Sequence, residues 1–156
     1  MARFIRRGVS KVRFAPTLAN KAAMTRAEIT SSTDLTPSIA EINGWMLEAS
    51  NVATPDMGSR FDSSVPGTIS ANDSNLVFYE DDTADTIETL LPAGTEGNVL
   101  LFRKGDVPAS PSLDVFPVRV ASKGASYSTG NEAARFQVNF AIVEEPELDT
   151  VIPAAV

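Results

Sequence analysis

Four carboxylates crowd one short stretch, Glu80, Asp81, Asp82 and Asp85, and a serine stands beside a lysine at Ser122 and Lys123. The acids could ligate Ca²⁺ or work as an acid–base pair. An EF-hand loop, however, wants acids at alternate positions, a glycine sixth and a glutamate twelfth. Counted from Asp81, Thr86 stands sixth and Pro92 twelfth, so the pattern fails. Acids ahead of a helix are in any case favoured by its dipole. Ser122 would need Lys123 or a carboxylate to activate it, because the chain holds no histidine and no cysteine, and there is no G-x-S-x-G around it. That absence also removes disulfides, thiolate nucleophiles, imidazole bases and His or Cys metal sites, and it leaves the redox compartment unreadable. Neither a P-loop nor a G-x-G-x-x-G occurs. The residues thus point to no catalytic site, no metal and no cofactor. Asn72-Asp73-Ser74 matches a glycosylation acceptor, a triplet too common to carry weight. Trp45, Tyr79 and Tyr127 could serve as sugar-stacking platforms, but aromatics so scattered read better as core and rim residues.

The elements around these residues are mostly strands. Val12 and Phe14 alternate with Lys11 and Arg13, a first strand ended by Pro16. Thr25 to Pro37 reads as turns, and Ile39 to Leu47 changes phase near Gly44, which predicts a bulge. Ala49 to Gly67 has no period and carries two prolines and two glycines, which predicts a long irregular loop of a length that usually has a purpose. Leu76 to Glu80 reads as a strand. The only helix expected lies in "DDTADTIETLLPAG", with Ala84, Ile87, Leu90 and Leu91 on one stripe, Asp82 or Thr83 as cap, and Pro92 and Gly94 as stop. About 14 Å long, it must lie on a sheet. In "NVLLFRK", Val99 and Leu101 face one way and Leu100 and Phe102 the other, so this strand should be covered on both sides. Phe116, Val118 and Val120 form another strand, where Pro117 asks for an edge or a bulge. In the last strand Phe136, Val138, Phe140 and Ile142 face the core, while Arg135, Gln137 and Asn139 face water. Residues 144–156 read as an acidic tail without structure. Six or so strands and one helix predict a mainly antiparallel β-sandwich or half-barrel with one short flanking helix, in a single domain spanning residues 1–156.

Charge is the strongest departure from the average. Arg3, Arg6, Arg7, Lys11 and Arg13 fall within twelve residues that hold no acid. With Lys21 and Arg26 they precede the first acid, Glu28, and the 6 cations and 20 acids that remain leave the rest of the chain at −14. Such a body repels phosphate, so nucleic-acid binding is disfavoured; the basic leader is better matched to the acidic surface of another copy. Gly8 and Pro16 interrupt the amphipathic helix of a transit peptide, and no apolar run approaches the roughly 18 residues of a membrane span. The chain is expected to work unprocessed, in water and without a membrane.

Taken in order, "MARFIRRGVSKVRFAPTLAN", "TRAEITSSTDL", "AEINGW", "TPDMGSRFDSSVPG", "SNLVFYED", "GNVLLFRKGD", "DVFPVRVAS" and "NEAARFQVNFAI" resemble the major tail protein, or tail tube protein, of long-tailed bacteriophages, over roughly residues 1–145. The resemblance implies the phage tail tube fold, and a structural subunit that forms homohexameric rings stacked into a hollow tube for genome passage. It implies as partners a tape-measure protein and terminator and tip proteins, with double-stranded DNA passing through without specific binding. It places the protein in the virion tail, and in the host cytoplasm during assembly. An injection-system tube of the same architecture is a related possibility. The alternative from another class is a bacterial β-sandwich module that binds carbohydrate or another surface ligand through Trp45 and the neighbouring loops.

Exposed sheet edges need pairing, and a ring of identical subunits supplies it. The inter-subunit contacts expected are therefore Arg3, Arg6, Arg7, Lys11 and Arg13 from the leader, of which residues 1–8 form an N-terminal arm. From the 49–67 loop they are Pro55, Asp56, Arg60 and Phe61. The leader's cations should lie away from the lumen, where a basic wall would hold DNA.

Overall fold

Phe14, Phe78, Phe102 and Phe116 are almost inaccessible to water, yet they belong to two apolar clusters separated by a sheet. The computed structural model describes residues 1–154. In chain order the strands are β1 (Lys11–Ala15), β2 (Thr33–Asp34), β3 (Ile39–Asn43), β4 (Leu47–Ala53), β5 (Ser64–Ala71), β6 (Ser74–Tyr79), β7 (Glu96–Phe102), β8 (Leu113–Ser126), β9 (Arg135–Ile142) and β10 (Glu147–Thr150). The helices are α1 (Arg26–Ser31) and α2 (Thr86–Leu90), and a 3₁₀ turn covers Thr36–Ser38.

The main sheet is antiparallel in the order β2-β1-β7-β8-β9-β6-β3, with β10 also on β8. One cluster takes Val12 and Phe14 from β1, Val99 from β7, Phe116 and Val118 from β8, Phe136 and Val138 from β9, and Leu76 and Phe78 from β6, with Ile39 of β3 packed against it. Residues from both ends of the strand order can share one core only if the sheet curls around it. The curl leaves a seam between the β2–β1 edge and β3, and Leu35 and Thr36, which follow β2, continue its pairing with β1 along that edge. Leu35 N donates to Val12 O (2.9 Å), and the Thr36 hydroxyl accepts from Val12 N (2.9 Å) and donates to Val12 O (3.2 Å). The result is the expected half-barrel.

The second cluster lies on the outer face, where Leu100 and Phe102 of β7 and Leu113 and Val115 of β8 meet Met24, Ile29 and Ile152. This is the two-sided covering that "NVLLFRK" predicted. Its cover corrects two readings. Thr25 to Pro37 is not all turn: Thr25 and Glu28 form a capping box that starts α1 and drops Ile29 into the cluster. Residues 144–156 are not simply a tail. Glu147 pairs with Val115 and Thr150 with Leu113, and Ile152 is fully buried. The last residues of that reading, 155 and 156, lie outside the described ones.

Three more differences have local causes. Asp81 Oδ1 accepts from the backbone N–H groups of Thr83 (2.9 Å) and Ala84 (3.3 Å), a turn that competes with helix, so α2 begins only at Thr86 and its cap Asp85 makes no side-chain bond. Ile87, Leu90 and Leu91 still face the core as predicted, whereas Ala84 is exposed. Pro117 sits inside β8 rather than at an edge. The pairs Val118–Ile142 and Val115–Glu147 leave a gap there, and Pro117 O accepts from Val143 N (3.1 Å). A strand residue points its N–H and C=O to the same side, so the donor that proline lacks faces that gap. The phase change near Gly44 is a corner instead of a bulge. Gly44 and Trp45 both take positive φ (86° and 65°) and turn the chain out of the main sheet.

Beyond that corner the expected long loop is a hairpin. β4 and β5 pair over six positions from Leu47–Ala71 to Ala53–Ser64, as a separate two-stranded sheet, and only residues 54–63 at its tip are irregular.

Candidate assembly surfaces

The residues that could do chemistry are occupied otherwise. Asp81 closes the turn described above, and the hydrogen bonds from Thr83 and Ala84 hold its carboxyl below the usual aspartate range. Among the described residues no group of three or more acids is placed to hold a metal ion. Ser122 and Lys123 are not in a turn but in β8, and neighbours on a strand point to opposite faces. Ser122 Oγ accepts from Asn139 Nδ2 (2.8 Å), and Lys123 Nζ donates to Glu88 O (3.0 Å). Trp45 is not a platform for a ligand. It is buried, with its ring edge-on to Phe116 (5.3 Å between centroids) and tilted against Phe140 (5.5 Å). Its backbone N–H donates to Ser74 Oγ and its indole N–H to Asn75 O (3.0 and 3.3 Å). The Gly44–Trp45 corner therefore pins the hairpin base to the core. Tyr79 is a rim residue, with the Arg135 guanidinium over its ring (5.3 Å to the centroid), and Tyr127 is almost wholly exposed.

Three surfaces remain uncovered. The first is the hairpin, in which no residue of β4 or β5 is buried and Val52, Val65 and Ile69 stand in water. At its tip Pro55, Asp56, Arg60 and Phe61 are all exposed, the loop being shaped locally by Gly58 N donating to Asp56 Oδ1 (2.7 Å) and Phe61 N to Ser59 Oγ (3.0 Å). The second is the arm, whose residues 1–5 have no regular structure and expose Phe4 and Ile5. The third is the outer face of the sheet beyond the second cluster. There the register aligns Asn43, Asn75, Asn139 and Ser122 across four strands, with hydrogen bonds from Asn43 to Asn75 (3.1 Å) and from Asn139 to Ser122. Arg135 and Glu41 form an ion pair on the same face (3.5 Å).

Exposed apolar strands with free edges are characteristic of a protein that completes itself by association. The phage tail tube protein family matches residues 1–155. The chain belongs to that family. A tail tube protein is a structural component of the virion tail, and this one is similar in fold to components of other tail-like particles. It resembles a chain of the anti-feeding prophage baseplate, determined by cryo-electron microscopy with six-fold symmetry (TM-score 0.63, 8% identity, 94% of this chain and 95% of that one). It also resembles a chain from the tail of an empty gene transfer agent particle refined with C6 symmetry (TM-score 0.52, 12% identity, 90% and 93%). A third likeness is to a chain of the native gene transfer agent virion (TM-score 0.50, 15% identity, 75% and 88%). No curated protein matches the sequence.

The tail tube protein keeps its two sets of expected contact residues apart. Pro55, Asp56, Arg60 and Phe61 gather at the hairpin tip, while Arg6 and Arg7 line the seam, Lys11 and Arg13 lie on β1, and Arg3 lies in the irregular arm. Those cations are not equivalent. Arg13 is bound within the chain, its Nε donating to Ser32 Oγ (2.7 Å) and its Nη2 to Ser32 O (2.8 Å), with Asp34 at 4.0 Å. Arg6 Nη1 donates to Arg103 O (3.2 Å). Arg3, Arg7 and Lys11 are exposed and form no ion pair among the described residues. Farther along, Lys21 meets Glu144 and Arg26 meets Asp106 (2.6 Å each), so part of the charge asymmetry is satisfied inside the subunit.

Sequence reasoning missed the network at the start of β8. Arg103 pairs with Asp114 (3.4 Å) and Asp149, and Asp149 N donates to Asp114 Oδ1 (3.1 Å). Burial pushes the Asp114 carboxyl above its ordinary value, against the lowering by that N–H and by Arg103. The alternation of Asp114 with Leu113 and Val115 was the available signal, a carboxylate set between two buried residues.

Proposed function

We propose that six copies close into a ring, that rings stack into a hollow tube, and that the genome leaves the capsid through it. The observation that supports this best is the hairpin, two strands in which no residue is buried and Val52, Val65 and Ile69 stay about half exposed. A two-stranded ribbon is marginal in water alone, and seating it on an adjacent subunit, through Phe61 and its neighbours at the tip, would order it. Contacts between different patches make rings when the rotation closes, and the six-fold symmetry of the similar particles suits that stoichiometry. The row Asn43, Asn75, Asn139 and Ser122 suits a pore wall, because neutral amides give DNA phosphates no cation to hold. In this reading a tape-measure protein fills the tube during assembly in the host cytoplasm, terminator and tip proteins close its ends, and the subunit performs no catalysis.

Size-exclusion chromatography with negative-stain micrographs of the purified chain tests the reading. Rings or tubes with six-fold end views are the expected result, together with higher hydrogen-exchange protection of residues 49–67 in the tube than in the free subunit. A protein that stays monomeric at high concentration would overturn it.

A further inference from the structure

A groove of about 580 Å³ opens beside the hairpin base. Leu47, Ile69, Ile142 and Val143 give it apolar walls, and Glu144 and Glu145 stand at its lip. Ile69 keeps 60% and Val143 52% of its surface exposed. Glu144 holds Lys21, but Glu145 forms no ion pair among the described residues. The arm has the complementary chemistry. Phe4 and Ile5 are 51% and 78% exposed, and Arg3, which precedes them, forms no ion pair among the described residues. Apolar anchors beside a cation suit apolar walls beside an acidic lip.

The arm's own groove is out of reach. The turn at Arg6–Ser10 fixes the arm's root, with Val9 N and Ser10 N donating to Arg6 O (3.0 and 2.8 Å) and Arg6 held to Arg103. Five residues beyond that root extend at most about 18 Å. Arg103 N donates to Ser112 O, so the root lies level with Ser112, while Val143 N donates to Pro117 O and marks the groove's level. Five residues of β8 separate the two levels, and β9 is three strands from β1. With about 3.4 Å per residue and 4.8 Å per strand, the unrolled path is on the order of 20 Å before it clears any side chain. The root, flanked by Thr36 and Ile39, is on the seam, and it shares no lining residue with the groove.

We propose that residues 1–5 of one copy seat in the groove of a second copy, with Phe4 and Ile5 against the apolar walls and Arg3 at Glu145. The inference rests on the assembly reading and adds to it a named occupant and its receptor. A donor and an acceptor on different patches of one surface make a heterologous contact that each subunit can repeat.

The chain lacks cysteine, so introduced pairs report without background. Full-length Phe4→Cys and Val143→Cys single variants, mixed and mildly oxidised, should give a disulfide dimer that neither gives alone, because the bond forms only when the Cα atoms come within about 7 Å. Adding Arg3→Glu to the first variant should cut the yield roughly three- to tenfold, and Glu145→Lys in the second should restore it. Tubes without the mixed dimer would overturn the groove and leave the assembly reading standing. No rings or tubes from the unmodified chain would overturn both. A cross-link within single chains of the dilute double variant would overturn the second copy as occupant.

Discussion

β7 and β9 have seven and eight residues, and so do β4 and β5. The first pair buries Val99, Leu100, Phe102, Phe136, Val138 and Phe140, whereas no residue of the second pair is buried. Lengths are alike, so the difference lies in what surrounds each strand: β7 and β9 are hydrogen-bonded to a neighbour on either side and lie on a core, while β4 and β5 pair only with each other. The barrel strands are completed by their own chain, and the hairpin strands carry valines and an isoleucine that the subunit leaves about half exposed. In the proposed assembly, stability therefore belongs to the barrel and association to the hairpin and arm, and a mutation should affect one without the other according to which of these regions it strikes.

The largest effect expected is at the Gly44–Trp45 corner. Trp45→Ala removes the ring that packs on Phe116 and Phe140 and should cost about 3–5 kcal/mol in denaturant unfolding. A much smaller loss would mean that the hairpin base contributes nothing to the barrel. On the association side, Val52 and Val65 are directly opposed across the hairpin and about half exposed. Changing both to serine should move folding stability by about 0.5 kcal/mol or less, yet abolish tubes in micrographs. Normal tubes from that variant would break the division of labour.

The smallest effect concerns Glu28. Hydrogen bonds from Thr25 N and Ala19 N hold its carboxyl below the ordinary glutamate value. A carboxyl with a lowered folded pKa stabilises the fold fully above the unfolded value, near 4.5, and ceases to as pH falls through the lowered one. Glu28→Ala should accordingly lower Tm near neutrality, with the gap to the unmodified protein closing in acid. A gap independent of pH would assign the role of Glu28 to something other than its charge.

Much of the barrel was legible because burial writes a period into sequence. The alternation of Phe136, Val138 and Phe140, and the two-sided run Val99 to Phe102, both name their faces. The hairpin was illegible for the converse reason: with neither face buried, Ala49 to Ala53 and Ser64 to Ala71 had no period to show. α1 and β10 were too short for periodicity, although the Thr25–Glu28 pair ahead of Ile29 is a readable helix start. Among the residues proposed for assembly, charge picks out Arg3 and position in an aperiodic segment picks out Phe61. Sequence alone could not separate Arg13, whose partners Ser32 and Asp34 are brought to it only by the β1–β2 pairing.

At the seam, Leu35 and Thr36 lengthen the short pairing of β2 with β1, but neither β1 nor β2 pairs with β3, where other strands are joined by whole ladders. A wall laddered along most of its circumference and unpaired along one line has its least stiffness there, so bending strain will gather at that line before it reaches the aromatic core. Identical subunits in a flexing cylinder then adjust their curvature by opening or narrowing that line, with their interiors intact.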